Sequence, residues 1–447
     1  MTDRHHFGIF EYLVFVGVLS AALAVRIWYV CACADYGRSS GPIIVQLERP
    51  ELVEYARNLS AGRGYGLEEG GEFVPKAHPA PLYAYLLSAI YDYSDSASAV
   101  RQRVRWLQCG LGGMTAGFLF LFARLIFRSL WAAGCAGFLA GFYPFWIANT
   151  TAIDDGALCC FLLSAACYLG VRSSLFQGSL SGLLFGSSLA ALALTRAALL
   201  PFAFVGLVWY LARCQSQGRG GRLALAAVVG FAAALAPWTI RNYQVFRDVY
   251  PVVDTTYFHL WMGNNPQADG GPLNVKPERL DLNERQQAQQ VFNEVWSHPS
   301  KTLSRRLSAG LYFLLTVDWF RDEEQPTSED SAPLLWREVA KSEWASINPP
   351  AWFDRYHRTI LFLSLFFVYL FGFVGWRLSY RRRQDSGLLV AATFLLPLPY
   401  LVGHAEMLNG PRLPFDALWI CYASFALACG LGRIPNKTPA DNPSPNR

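Results

Sequence analysis

Residues 9–34 read IFEYLVFVGVLSAALAVRIWYVCACA, an apolar run interrupted only by Glu11 near its start and Arg26 toward its end. About 20 such residues, coiled as a helix, cross the roughly 30 Å hydrocarbon layer, because only a helix satisfies its own backbone hydrogen bonds there. The run is longer and less basic at its start than a cleaved signal peptide, although its LSAALA stretch keeps that processing open as an alternative. Nine further runs of the same character follow at 106–123, 131–148, 156–171, 179–195, 197–212, 222–240, 359–376, 387–403 and 413–431. The expected fold class is therefore an all-α integral membrane protein, a polytopic bundle of about ten transmembrane helices within a range of roughly 10–12.

The composition of the 447 residues agrees: 53% apolar, 15% aromatic and 16% charged, against roughly 25% charged in soluble domains. The mean hydropathy is +0.22. A disordered chain and an ordinary soluble enzyme are both poor fits. The net charge of +5, from 38 Lys+Arg and 33 Asp+Glu, is too mild to imply a nucleic-acid partner.

Basic residues orient the spans, because Lys and Arg concentrate in cytoplasmic loops. With the N-terminus inside, one set of connections carries Arg124, Arg128, Arg172, Arg213, Arg219, Arg222, Arg377, Arg381, Arg382 and Arg383 against the single acid Asp385. The other face carries two long segments. Residues 35–105 hold 9 acidic and 8 basic residues, and residues 241–357 hold 16 and 12. Both are expected outside, which means periplasmic for a multi-pass protein of a bacterial inner membrane. Residues 1–431 form one polytopic membrane domain on this reading, and the Pro/Asn-rich 432–447 reads as a disordered cytoplasmic tail. Residues 303–319, LSRRLSAGLYFLLTVDW, would reverse this bias if they crossed. They are expected to form an amphipathic helix at the outer interface with Arg305 and Arg306 on its polar side.

None of the ten cysteines lies in either long external segment, and there is no C-x-x-C pair. Buried apolar thiols are expected. No H-E-x-x-H and no Gly-rich phosphate loop appears, so zinc hydrolysis, ATP and dinucleotide chemistry have no support. A pump or transporter places ionisable residues at mid-membrane. Here the charges sit near span ends: Arg26, Asp154, Asp155, Arg196 and Arg241, all toward the external side of the assigned topology. That distribution suggests a site at the membrane surface, acting on an amphiphile whose head lies outside.

The first external segment is the most informative: ERPELVEYARNLSAGRGYGLEEGGEFVPKAHPAPLYAYLLSAIY, residues 48–91. Glu48, Glu51 and Glu54 recur every three residues ahead of an amphipathic run, as a solvated helix start does. The order of ERPELVEYARNLSAGRGY (48–65), HPAPLY (78–83), LALTRAALL (192–200), APWTIRNYQVF (236–246), LWMGNNPQADGG (260–271) and GPRLPFDALW (410–419) resembles the polyprenyl-phosphate-sugar-dependent membrane glycosyltransferases of the GT-C class. These include the dolichyl-phosphate-mannose protein mannosyltransferase-like proteins and the aminoarabinose transferase of lipid A. Two positions depart from the family pattern: Glu48 stands where Asp is usual, and GPRLP stands for R-Y-R-L-P.

The resemblance implies a GT-C-like bundle and an inverting transfer of sugar from a polyprenyl-phosphate donor to a hydroxyl acceptor on a lipid, glycan or protein. An acceptor hydroxyl needs a base, and the leaving phosphate needs fixed cations. Glu48 aligns with the family acid, with Glu51 as the alternative. Asp154 and Asp155 match an acid that family members carry after the third span. They orient the acceptor, help hold a metal, or cap the fourth span's helix. Lys76, His78, Arg196 and Arg241 are the candidates for the donor phosphate. Each has an alternative reading, as an interfacial anchor or, for Arg196, as one half of a buried pair. Trp261 is the one candidate for a sugar platform. The sequence requires no cofactor, and a divalent metal remains possible. The runner-up function is a transporter or flippase for a lipid-linked sugar or oligosaccharide.

Overall fold

The structure, a computed structural model, describes residues 8–35, 50–91, 97–176, 178–216, 218, 220–270, 282–315, 351–379, 387–403 and 411–432. Glu48, Arg381–Arg383 and the 433–447 tail lie outside these residues. Among the described residues seven helices are long and apolar enough to cross a membrane: within α1 (Ile9–Asp35), α4 (Ala97–Phe127), α7 (Gly156–Phe176), α9 (Leu200–Ser216, with the one-turn 3-10 helix Ala197–Leu199 before it), α10 (Gly220–Phe246), α14 (Ala351–Leu378) and α17 (Leu413–Gly430). Shorter apolar helices supply α5 (Leu130–Phe142), α8 (Ser179–Thr195) and α15 (Gly387–Leu395), the last continued by α16 (Leu398–Val402). All ten expected spans thus correspond to apolar helices.

Two of the expected spans are interrupted. The run 131–148 breaks at Tyr143, whose extended backbone (φ −67°, ψ 115°) precedes Pro144 and the short helix α6 (Pro144–Asn149). A residue before proline is pushed out of the helical region, so the sequence itself sets this break. The run 387–403 is divided ahead of α16, where Pro397 supplies no backbone N–H.

Small residues let the helices approach closely, as membrane packing requires. A Cβ at Gly186 would stand 1.9 Å from Ala227 O, and one at Gly230 would stand 2.1 Å from Leu183 O, so α8 and α10 cross almost backbone to backbone. The charge in the first span is resolved in the same interior. Arg26 is fully buried, and its Nη1 donates to Ala22 O and Gly141 O, both at 2.8 Å. Its Nη2 donates to Ala140 O at 3.2 Å. The guanidinium thus caps the last-turn carbonyls of α5, the partially negative end of that helix.

One end of the bundle carries the large connections. They begin with α2 (Pro50–Ser60), the antiparallel hairpin β1 (Gly66–Glu69) and β2 (Glu72–Pro75), and α3 (Leu82–Ser88). After α10 come α11 (Thr256–Asn264), α12 (Glu284–Ser297) and α13 (Pro299–Leu315). At the opposite end, Arg124 at the close of α4 pairs with Glu11 at the start of α1, Nη2 to Oε1 at 2.6 Å.

The amphipathic helix expected at 303–319 forms as α13, with 316–319 outside the described residues, but its faces are reversed. Arg305 is 1% exposed, while Leu303, Leu307, Leu311 and Leu315 project from the protein at four-residue spacing. Arg305 Nε donates to Ala268 O at 2.8 Å, and its Nη2 donates to Glu294 Oε1 at 2.7 Å. Arg306 donates to Leu401 O at 2.9 Å and to the Asn264 side-chain oxygen. The arginines face inward because they satisfy carbonyl and amide oxygens at 264, 268 and 401, and the leucines are left on the outer face.

Candidate functional site

The first connection builds its own platform. In α2 the sequence PELVEYARNLS places Leu52, Val53, Tyr55 and Ala56 on one buried face. The Tyr55 and Tyr65 rings stack with centroids 4.4 Å apart, and Trp238 from α10 meets Tyr65 edge-on at 4.9 Å. The two phenols then fix the returning chain: Tyr55 donates to His78 O and Tyr65 to Pro79 O, each at 2.7 Å. Burial, reinforced by Tyr55, pushes the Tyr65 phenol well above its usual range, so it stays a donor.

Arg241 locks this platform to α10. Its Nη1 donates to Lys76 O at 2.6 Å and its Nη2 to Tyr65 O at 2.8 Å, while the guanidinium lies 4.8 Å from the Trp238 ring centroid. Three carbonyls of the loop, at residues 76, 78 and 79, are therefore held by buried or half-buried donors. On this frame Lys76 Nζ meets Glu69 Oε1 at 2.6 Å, and His78 Nδ1 meets Asp254 Oδ1 at 2.8 Å. Glu51, in the first turn of α2, lies close enough to Tyr65 to act on it electrostatically. Burial raises the Glu54 carboxyl above its ordinary value.

The turn after α6 is a second cluster. Asp154 Oδ1 accepts the Gly156 N–H at 2.8 Å and so caps α7. Asp155 forms a buried ion pair with Arg196, which follows the end of α8. Gln108 joins this turn to the first connection, because its Nε2 donates to Ala152 O at 2.5 Å and to Tyr83 Oη at 3.0 Å. Beside it lies a cavity of about 10 Å³ lined by Gln108, Thr115, Asn149 and Thr150 among others, about the volume one water needs.

A third cluster opens α17. Asp416 is wholly buried, with Arg412 Nε at 3.3 Å, and it accepts hydrogen bonds from Tyr143 at 2.8 Å and Tyr369 at 3.0 Å. The Arg412 guanidinium also stacks 4.4 Å from the Phe145 ring centroid. Tyr143 is the residue at the α5–α6 break, so the interruption presents its hydroxyl to the last helix.

The structure thus brings Lys76, His78 and Arg241 into one cluster and gives Arg196 a carboxylate neighbour in a second. Asp254, Asp416, Tyr143 and Tyr369 are additions that the motifs did not single out. Asp254 lies in PVVDTT with no motif around it. Asp416 sits inside the quoted GPRLPFDALW but reads there as an ordinary first-turn acid. Trp261 donates its indole N–H to Gln290 Oε1 at 2.7 Å. Among the described residues no group of three or more His, Cys, Asp or Glu side chains is arranged to hold a metal ion. Asp154 and Asp155 are engaged with Gly156 and Arg196.

No protein-family model matches the chain, and no curated protein is a significant sequence match. Solved structures do match. The apo oligosaccharyltransferase of Archaeoglobus fulgidus aligns with a TM-score of 0.52 at 12% identity, covering 94% of this chain and 51% of that one. Its AglB complex with an inhibitory peptide and a dolichol-phosphate aligns at 0.45 and 13%, covering 95% and 51%. ArnT from Cupriavidus metallidurans, bound to undecaprenyl phosphate, aligns at 0.42 and 14%, covering 93% and 78%. The chain spans about half the length of the archaeal enzyme it matches. At such identity the likeness is one of fold, and with the apolar helices it makes this chain a helical integral membrane protein built on the GT-C fold.

Proposed function

We propose that the chain is an inverting glycosyltransferase that moves a sugar from a polyprenyl-phosphate donor to a hydroxyl acceptor at the external membrane face. The observation that supports it most is the rigid presentation of Lys76 and His78 at the loop-bearing end of a GT-C bundle, on a loop clamped by Tyr55, Tyr65 and Arg241. A solved structure that shares this fold is an oligosaccharyltransferase, a sugar-transferring enzyme.

In this reading the acceptor oxygen attacks the anomeric carbon, its proton passes to Glu48 or Glu51, and the sugar–phosphate bond breaks with its electron pair on the phosphate. Lys76 and His78 meet the phosphate charge as it develops. Arg241 acts mainly by holding the Lys76 carbonyl, and Arg196 acts with Asp155 to fix the 150–155 turn. Asp154, which accepts the Gly156 N–H, and Asp155, paired with Arg196, act by holding that turn. No step is routed through a metal.

Purified protein in vesicles, given a radiolabelled polyprenyl-phosphate sugar and an acceptor extract, tests the proposal. Label transferred to the acceptor supports it. Movement of the intact lipid without transfer favours a transporter, and neither outcome leaves the reading standing only as a fold. The side is tested separately: an impermeant thiol reagent should label a cysteine placed at Glu72 in intact cells and leave one at Arg382 unlabelled.

A further inference from the structure

The His78–Asp254 contact joins the two long connections across 176 positions of sequence, and both of its backbones are anchored. On one side Tyr55 and Tyr65 hold His78 O and Pro79 O. On the other, Trp238 Nε1 donates to Val252 O at 2.6 Å, and Asn242 Nδ2 donates to Tyr250 O at 3.0 Å. Trp238, Arg241 and Asn242 all come from the same end of α10, so one helix end sets the separation of the imidazole and the carboxylate.

The side chains of the pair are 24% and 28% exposed, unlike the Arg412–Asp416 pair at 2% and 0%. A pair this open contributes only about 0–1 kcal/mol to folding. Its two backbones are nevertheless each held by side-chain donors. A carboxylate only accepts hydrogen bonds, so Asp254 selects the ring state that carries a proton on Nδ1. That fixes the ring plane and makes Nε2 the atom on the far side of the imidazole from Asp254.

We propose that Asp254 is a positioning residue for donor binding, holding the His78 ring through Nδ1 beside the phosphate of the lipid-linked donor. Lys76, two residues earlier on the same clamped loop, supplies the cation for that phosphate. Arg241 stays behind the loop. The site takes a phosphate monoester or diester on a lipid, and the contact is a charge-assisted hydrogen bond with no covalent step. This inference rests on the glycosyltransferase reading above, in which His78 serves the donor phosphate.

The test is the affinity of full-length protein in detergent for undecaprenyl phosphate, measured beside its thermal unfolding midpoint. His78→Ala and Asp254→Ala should each weaken binding by about ten- to a hundredfold, the range of one charged hydrogen bond. The double variant should be no weaker than His78→Ala alone, and all the midpoints should match wild type. A carboxylate that served only the fold would lower the midpoint, and one that bound phosphate through other residues would add to the His78 loss; either result overturns the proposal. Should Asp254→Ala unfold, Asp254→Asn keeps the side-chain shape, and wild-type affinity in that variant also overturns it. Wild-type affinity in Asp254→Ala with weak binding in His78→Ala removes Asp254 alone and leaves the donor reading intact. Wild-type affinity in both His78→Ala and Lys76→Ala removes the donor reading itself.

Discussion

Two acid–base contacts at the same end of the bundle illustrate opposite uses of charge. Arg412 and Asp416 are sealed among helices, with Tyr143 and Tyr369 completing the carboxylate's hydrogen bonds and Phe145 covering the guanidinium. His78 and Asp254 are closer, at 2.8 Å against 3.3 Å, but reach solvent, on a loop whose backbone is clamped at three carbonyls. Burial of the first pair makes it costly to disturb and useless to a ligand. Exposure of the second makes it nearly neutral to folding, and it is the pair that the proposed function assigns to a ligand. Charge near a span end therefore does not by itself mark a site in this protein; the deciding property is whether the partner groups leave the charge accessible.

The largest effect expected on the functional side of this comparison is at Glu48. Glu48→Gln removes a base while keeping size and hydrogen bonding, and turnover should fall by roughly 10²–10⁴-fold. Donor affinity should persist, and Glu51→Gln should lose far less. A dead Glu51→Gln beside a fully active Glu48→Gln would move the base by three residues, one turn into α2.

Next in size is the structural side. Asp416→Ala strands a buried arginine among helices, at a cost of about 3–5 kcal/mol. The expected readout is a large fall in the detergent unfolding midpoint, and a midpoint equal to wild type would return Asp416 to the candidates for chemistry. A smaller loss is expected at Lys76, which lies at the open cluster. Lys76→Ala should slow transfer by at most about 2.7–4 kcal/mol in barrier, by analogy with one oxyanion-hole donor. Its midpoint should fall by no more than about 1 kcal/mol's worth of stability, because the Glu69 partner is half exposed, although the Lys76 side chain is 13% exposed.

The smallest effect is one of acidity. The Arg305 hydrogen bond holds the Glu294 carboxyl below its ordinary range, so the stability it adds is complete above the usual carboxylate value and is lost as pH falls through the lowered one. Glu54 runs the other way. Burial raises its folded value, so folding favours its protonated form at low pH and pays a small penalty once the group ionises. Arg305→Met should flatten the acid limb of the stability profile, and Glu54→Gln should raise stability slightly at neutral pH.

Much of the fold was legible because membrane spans announce themselves by length and apolarity: each of the ten runs, from 9–34 to 413–431, meets an apolar helix. The breaks at Tyr143 and before α16 were not expected, since 131–148 and 387–403 read as single spans; Pro144 and Pro397 stand at them, but Pro237 lies inside the unbroken α10, so a proline in an apolar run does not decide it. The faces of α13 were not. LSRRLSAGLYFLL is amphipathic read from either side, and only the carbonyls of Ala268 and Leu401 decide that its arginines point inward. The cluster of Lys76, His78 and Arg241 was legible from motif order, although the sequence could not show that Arg241 spends its guanidinium on backbone. Asp254 was illegible for a plain reason: its meaning comes from His78, which lies in the other long connection.

The central claim, that open charges serve the donor while sealed ones serve the fold, is tested most directly by measuring two quantities on two variants. Undecaprenyl phosphate affinity and the unfolding midpoint are determined in detergent for Lys76→Ala and Asp416→Asn. The account predicts that Lys76→Ala loses affinity at a wild-type midpoint, while Asp416→Asn loses midpoint and, below it, binds as wild type. Weak binding by Asp416→Asn at an unchanged midpoint, with wild-type binding by Lys76→Ala, would contradict it and place the donor site among the buried residues of α17.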